Sequence, residues 1–143
     1  MIKKSITYTD YDGNQRTDEC YFNLNKAELT EMELSESGGL DKFVQKIVET
    51  QDNKRIYALF KEIILNSYGE KTHDGKHFIK KKTVDGEVIR LRDEFEQTEA
   101  FSELMMEMLE DEKAGADFIT GILPKELANE VSKSMTEPAK KDK

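Results

Sequence analysis

"QTEAFSELMMEMLED", residues 97–111, sets Phe101, Leu104, Met105, Met108 and Leu109 at the spacing i, i+3, i+4, i+7 and i+8. That period lays apolar side chains along one face of a helix. Glu96, Glu99, Glu103, Glu107 and Glu110 step by three or four residues along the other side, and no basic residue interrupts them. The stretch therefore predicts an amphipathic helix over 98–110, with Thr98 as N-cap and Glu99 favourable in the first turn. Metal and catalytic carboxylates normally converge from several elements around a cleft. A single-face stripe reads instead as a solvated surface. Met105 and Met108 fall on the apolar stripe and read as core, whereas Met106 lies off it and reads as a contact surface for an adaptable partner.

Working outward, "AGADFITGIL" predicts a helix over 113–123 using Phe118, Ile119, Ile122 and Leu123, and Pro124 can close it and open another over 124–134. Upstream, Ile56, Leu59, Phe60, Ile63 and Ile64 repeat the core-helix spacing over 53–68, with Gly69 as the stop signal. This is the strongest helix in the chain and the expected centre of the core. Asn25 and Glu28 form a capping box for a helix over 26–34, and Phe43, Val44, Ile47 and Val48 predict another over 40–50. At the N-terminus Ile2, Ile6 and Tyr8 alternate with polar residues, "DYDGN" supplies turn chemistry, and Cys20, Phe22 and Leu24 resume the alternation. A β-hairpin over about 2–24 follows, with one apolar face that must be covered. Residues 70–92 hold the turn signals "HDG" and "VDG" beside "HFIKK" and "EVIRL", which suit either short strands or helical fragments in an exposed region. The expected fold is α+β, mainly α-helical with an N-terminal β-hairpin: one domain over 1–135 and a disordered tail at 136–143.

The 143 residues carry a net charge of −8, which argues against general binding to phosphate backbones. Residues 71–82 hold five lysines and one aspartate, while residues 93–112 hold nine acids and no lysine or arginine. Complementary patches of this kind suit a homo-oligomer. Cys20 is the single cysteine, so no internal disulfide forms and a reducing compartment is expected. "MIKKSITYTDYDG" has no apolar run after its lysines and is not a signal peptide, and no stretch is long and apolar enough for a membrane span.

Sites of chemistry are absent from the pattern. His73 and His77 have zinc spacing for a helix, but Asp74 and Gly75 between them favour a turn and no further ligand set accompanies them. Cys20 has no histidine partner nearby and reads as a small core residue. Lys80, Lys81 and Lys82 with Arg90 and Arg92 lack a recognition helix or stacking aromatics beyond Phe78. "GKH" lacks the glycine spacing of a phosphate loop. No catalytic residue, cofactor or metal is expected, and the chain reads as a non-enzyme.

The blocks "RIYALFKEIILNSYGEKTHDGKHFIK", residues 55–80, and "FEQTEAFSELMMEMLEDEKAGADFITGILP", residues 95–124, with the opening "KKSITYTDYDGNQRTDECYFNLNKAEL", resemble the tail assembly chaperones of tailed phages of Gram-positive hosts. "KKTVDGEVIRLRDEF" departs from that pattern as a longer connection. The resemblance implies a protein of the host cytoplasm that binds the tape measure protein, helps recruit tail tube subunits, and is absent from the mature virion. The net charge and the lack of a long apolar run leave no nucleic acid and no membrane as expected partners. The expected partner-binding residues are Phe101, Met105, Met106, Phe118 and Ile122, with burial of the same residues in the core as the competing reading and the hairpin's edge as a second site. A structural virion protein and an acidic regulator of a host DNA enzyme are the alternatives.

Overall fold

The computed structural model describes residues 1–35 and 53–124. In chain order the elements are β1 (Ile2–Thr9), β2 (Gln15–Phe22), α1 (Lys26–Ser35), α2 (Asn53–Ser67), β3 (Tyr68–Lys71), β4 (Phe78–Ile79), β5 (Lys81–Val84), β6 (Glu87–Arg90), α3 (Leu91–Glu96), α4 (Glu99–Glu110) and α5 (Glu112–Ile122). β1 to β4 form one antiparallel sheet in the order β1-β2-β3-β4, and β5 and β6 form a separate two-stranded hairpin. The expected helix at 40–50, with Phe43, Val44, Ile47 and Val48, the helix at 124–134 and the tail at 136–143 lie outside the described residues.

The fold is α+β, but the expectation of a mainly α-helical chain is corrected. Strands extend well beyond the N-terminal hairpin, because residues 68–90 hold four more of them. Gly69 shows why. It does not stop α2; the chain passes from Ser67 directly into β3. A Cβ on Gly69 would lie 2.5 Å from the Phe78 ring and 2.7 Å from the Ile79 carbonyl oxygen. Glycine there is what lets β4 pair closely with β3.

Alternation builds the first hairpin as the period requires. Ile6, Cys20 and Phe22 are buried on the face turned to the helices, whereas Lys3, Ser5, Thr7 and Thr9 are exposed. Asp10 sets the turn, its carboxylate accepting from the backbone N–H of Asp12 and Asn14 at 2.9 Å each and from Arg16 Nε at 2.6 Å. Phe22, fully buried, is the hub of the core. Its ring lies 5.1 Å from that of Phe118, 5.7 Å from Tyr68 and 5.8 Å from Phe95, and Tyr68 stacks on Phe95 at 4.1 Å. Such tilted and stacked pairs add to plain burial. Around this cluster pack Phe60, Ile63 and Ile64 from α2, Leu104 and Met105 from α4, and Ile119 and Ile122 from α5.

Caps fix where the helices start. Asn25 Oδ1 accepts from Glu28 N at 2.8 Å while Glu28 Oε1 accepts from Asn25 N at 2.9 Å, the reciprocal pair of a capping box. Thr98 caps α4, and Asp111 ends α4 while its side chain caps α5 through Lys113 N and Ala114 N. α5 approaches β1 closely at Gly121, where a Cβ would lie 2.5 Å from the Ile2 side chain. The terminal amine of Met1 donates to the Gly121 carbonyl at 3.0 Å, tying the strand's start to that helix.

Candidate partner-binding surface

α4 turns its apolar stripe inward. Ala100, Phe101, Leu104, Met105 and Met108 are all buried, and so are Phe118 and Ile122 of α5. Of the five expected partner-binding residues, Phe101, Met105, Phe118 and Ile122 therefore belong to the core of this conformation, and reaching them requires opening it. Met106 differs. It is 48% exposed, on the outer side of α4.

The acids of α4 do more than meet solvent. Glu107 takes the ammonium of Lys4, a residue on the helix-facing side of β1, in a short contact. Glu96, at the end of α3, holds Lys61 of α2 at 2.9 Å, which pushes the Lys61 ammonium pKa up. Two carboxylates of the stripe are thus partly neutralised by neighbouring elements, which dilutes any resemblance to a row of DNA phosphates.

β1 ends the strand order, so its outer edge has no strand partner among the described residues. The inward charge of Lys4 on such a strand is one of the devices by which sheets avoid uncontrolled edge pairing. Between this edge and α4 runs a groove of about 530 Å³. Ser5 and Thr7 line one side, Leu104 and Met106 the other, with Glu103 and Glu110 at its margin. The structure thereby brings together two features that the sequence suggested separately, Met106 and the hairpin's edge. Unpaired strand backbone beside an exposed, flexible thioether is a surface suited to protein contact.

The remaining candidates have structural roles. His73 and His77 are exposed in the loop between β3 and β4. That loop is closed by Thr72 N to His77 O at 3.0 Å and by Asp74, whose carboxylate accepts from Thr72 Oγ1 at 2.6 Å and from Lys76 N at 3.0 Å. Burial pushes the Cys20 thiol up to about 11, so it stays protonated and inert as a nucleophile at neutral pH. Among the described residues, no group of three or more His, Cys, Asp or Glu side chains is placed to hold a metal ion, and no helix is long and apolar enough to cross a membrane.

Sequence reasoning missed Lys80. Its Nζ donates to the Asn23 carbonyl at 2.8 Å and the Asn66 carbonyl at 2.7 Å, and pairs with Glu28. One cation thus joins the end of β2, the end of α2 and the start of α1. Burial lowers its pKa, opposed by Glu28. A lysine within "IKKK" gives no sign of which ammonium turns inward.

No curated protein and no solved structure matches the chain at a significant level. A family model described as phage tail assembly chaperone matches residues 1–143, its whole length. The chain therefore belongs to the phage tail assembly chaperone family, whose role is in building the phage tail.

Proposed function

We propose that the protein acts without catalysis, binding the tape measure protein in the host cytoplasm, keeping it soluble, and yielding it to tail tube subunits as the tube grows. It would then be missing from the finished particle. The observation that carries this reading is the exposure of Met106 beside the open edge of β1. A chaperone of a long polymer needs weak, repeated, reversible contacts, and an unbranched polarizable side chain next to free backbone groups supplies them without a deep specific pocket. Residues 1–135 are proposed to fold as one unit that presents this surface.

Co-expression with the tape measure protein tests the reading. The wild-type chain should raise the soluble fraction of that protein, and Met106→Glu should lose most of the gain. Because Met106 is a surface position, that variant's stability should stay within about 0.5 kcal/mol of wild type. No gain in solubility with wild type, and no complex, would remove the proposal. Mass spectrometry of purified particles separates a chaperone, which is absent, from a structural subunit, which is present.

A further inference from the structure

The β5–β6 hairpin stands apart from the main sheet. Its register sets Lys81 opposite Arg90 and Thr83 opposite Val88, so these four side chains share one face. All four are exposed, Val88 by 66%. The other face leans on α3, where Ile89 is half-buried and Lys82 Nζ lies 3.5 Å from Glu94. Of the apolar residues on that face Ile89 alone is half-buried, with Val84 still 41% exposed, and the face of Lys81, Thr83, Val88 and Arg90 is bare.

Like charges directly opposite each other in an antiparallel pair repel, and a two-stranded hairpin is marginal without a covered face. Arg90 has an internal counter-charge in Asp93 at 3.0 Å. Lys81 has no ion pair among the described residues. The bare face also runs into a groove of about 810 Å³ beside α1, the end of α2 and β4. Phe78 and Ile79, half-buried, offer apolar surface there, and Lys76, Lys81 and Arg90 stand around it, with Arg92 already turned to Asn66 and to Glu62 at 3.6 Å. Against these cations the groove holds Glu28 and Glu31, and Glu28 is already paired with Lys80. In a chain of net charge −8 this is a concentrated basic surface with apolar ground between the charges.

We propose that the bare face of the arm and the adjoining groove bind an acidic segment of a partner protein. Its carboxylates fall between Lys81 and Arg90, and its apolar side chains rest on Phe78, Ile79 and Val88. The acidic helix α4 of a second copy fits less well. Its apolar stripe is buried in its own core, so it offers carboxylates but little apolar surface beyond Met106. This inference goes beyond the proposed function. The groove shares no lining residue with the one beside Met106, so either reading can fail alone.

Fluorescence anisotropy of the full chain with a labelled peptide alternating glutamate and leucine tests the proposal, beside the same peptide carrying lysine in place of glutamate. The glutamate peptide should bind, more weakly as salt rises, and the lysine peptide should not. Charge reversal at both Lys81→Glu and Arg90→Glu should weaken binding by at least about tenfold. Since Arg90→Glu also breaks the Asp93 pair, Lys76→Glu serves as the second variant: it disturbs no described ion pair and should weaken binding by a smaller factor with an unchanged circular dichroism spectrum. Binding that ignores these variants, or a full chain that ignores the peptide, overturns the proposal. Displacement by inorganic polyphosphate at equal charge would reduce the site to a generic cation patch and overturn it too. So would a change in oligomeric state on charge reversal without peptide binding, which would name a second copy as the occupant.

Discussion

The two hairpins of this protein start from similar sequence signals and end in different places. Both turn at an Asp–Gly pair between antiparallel strands, and in β5–β6 Asp85 and Gly86 both take positive φ, the conformation such turns need. In β1–β2 the apolar residues share one face, and that face disappears under α2, α4 and α5. In β5–β6 they are split: Val88 lies on one face, Val84 and Ile89 on the other, with cations at the base of both. Segregation of apolar residues, more than their presence, decides whether a hairpin becomes core or remains an arm.

Truncation of one apolar side chain in each hairpin is the sharpest way to break that contrast. Phe22→Ala removes the aromatic hub and should cost about 3–5 kcal/mol in urea denaturation, whereas Val88→Ser should cost less than about 0.5 kcal/mol. Equal losses would mean that the arm is as much a part of the cooperative core as the first hairpin.

A smaller effect tests the joint between arm and body. Lys80→Ala leaves the Glu28 carboxylate and two carbonyls without their shared donor, and should cost about 2 kcal/mol by the same measurement. A loss within error would show that water replaces the ammonium and that the arm's root is not pinned.

The smallest effect concerns the turn of the first hairpin. Arg16 and the backbone N–H groups of Asn14 and Asp12 hold the Asp10 carboxyl below its usual value of 3.8. A carboxyl with a depressed folded value contributes stability that is fully present above the unfolded pKa and is lost as pH falls through the folded one. The gap in melting temperature between wild type and Asp10→Asn should therefore be largest near neutral pH and close in strong acid. A gap independent of pH would assign the turn's strength to backbone geometry alone.

The contrast also explains what the sequence disclosed. The first hairpin and the helix after Thr98 were readable because their periods are long enough to repeat, and the Asn25–Glu28 capping box because its spacing is itself the geometry. β3 and β4 were not, since strands of 4 and 2 residues show no period, and Gly69 looked like a helix stop until its neighbour Phe78 was known. For the partner surface, an apolar stripe looks the same whether the chain's own core or another protein covers it. Phe101, Met105, Phe118 and Ile122 could not be told from contact residues on that ground. The exposure of Met106 was readable, because it falls off the stripe.

Hydrogen–deuterium exchange of the chain, alone and with the tape measure protein, probes the docking groove most directly. The expected result is new protection confined to residues 3–9 and 103–111, where the edge of β1 and the Met106 side of α4 line the groove. Protection elsewhere with none on that edge, or faster exchange throughout the core as Phe101 and Phe118 open to a partner, would contradict it.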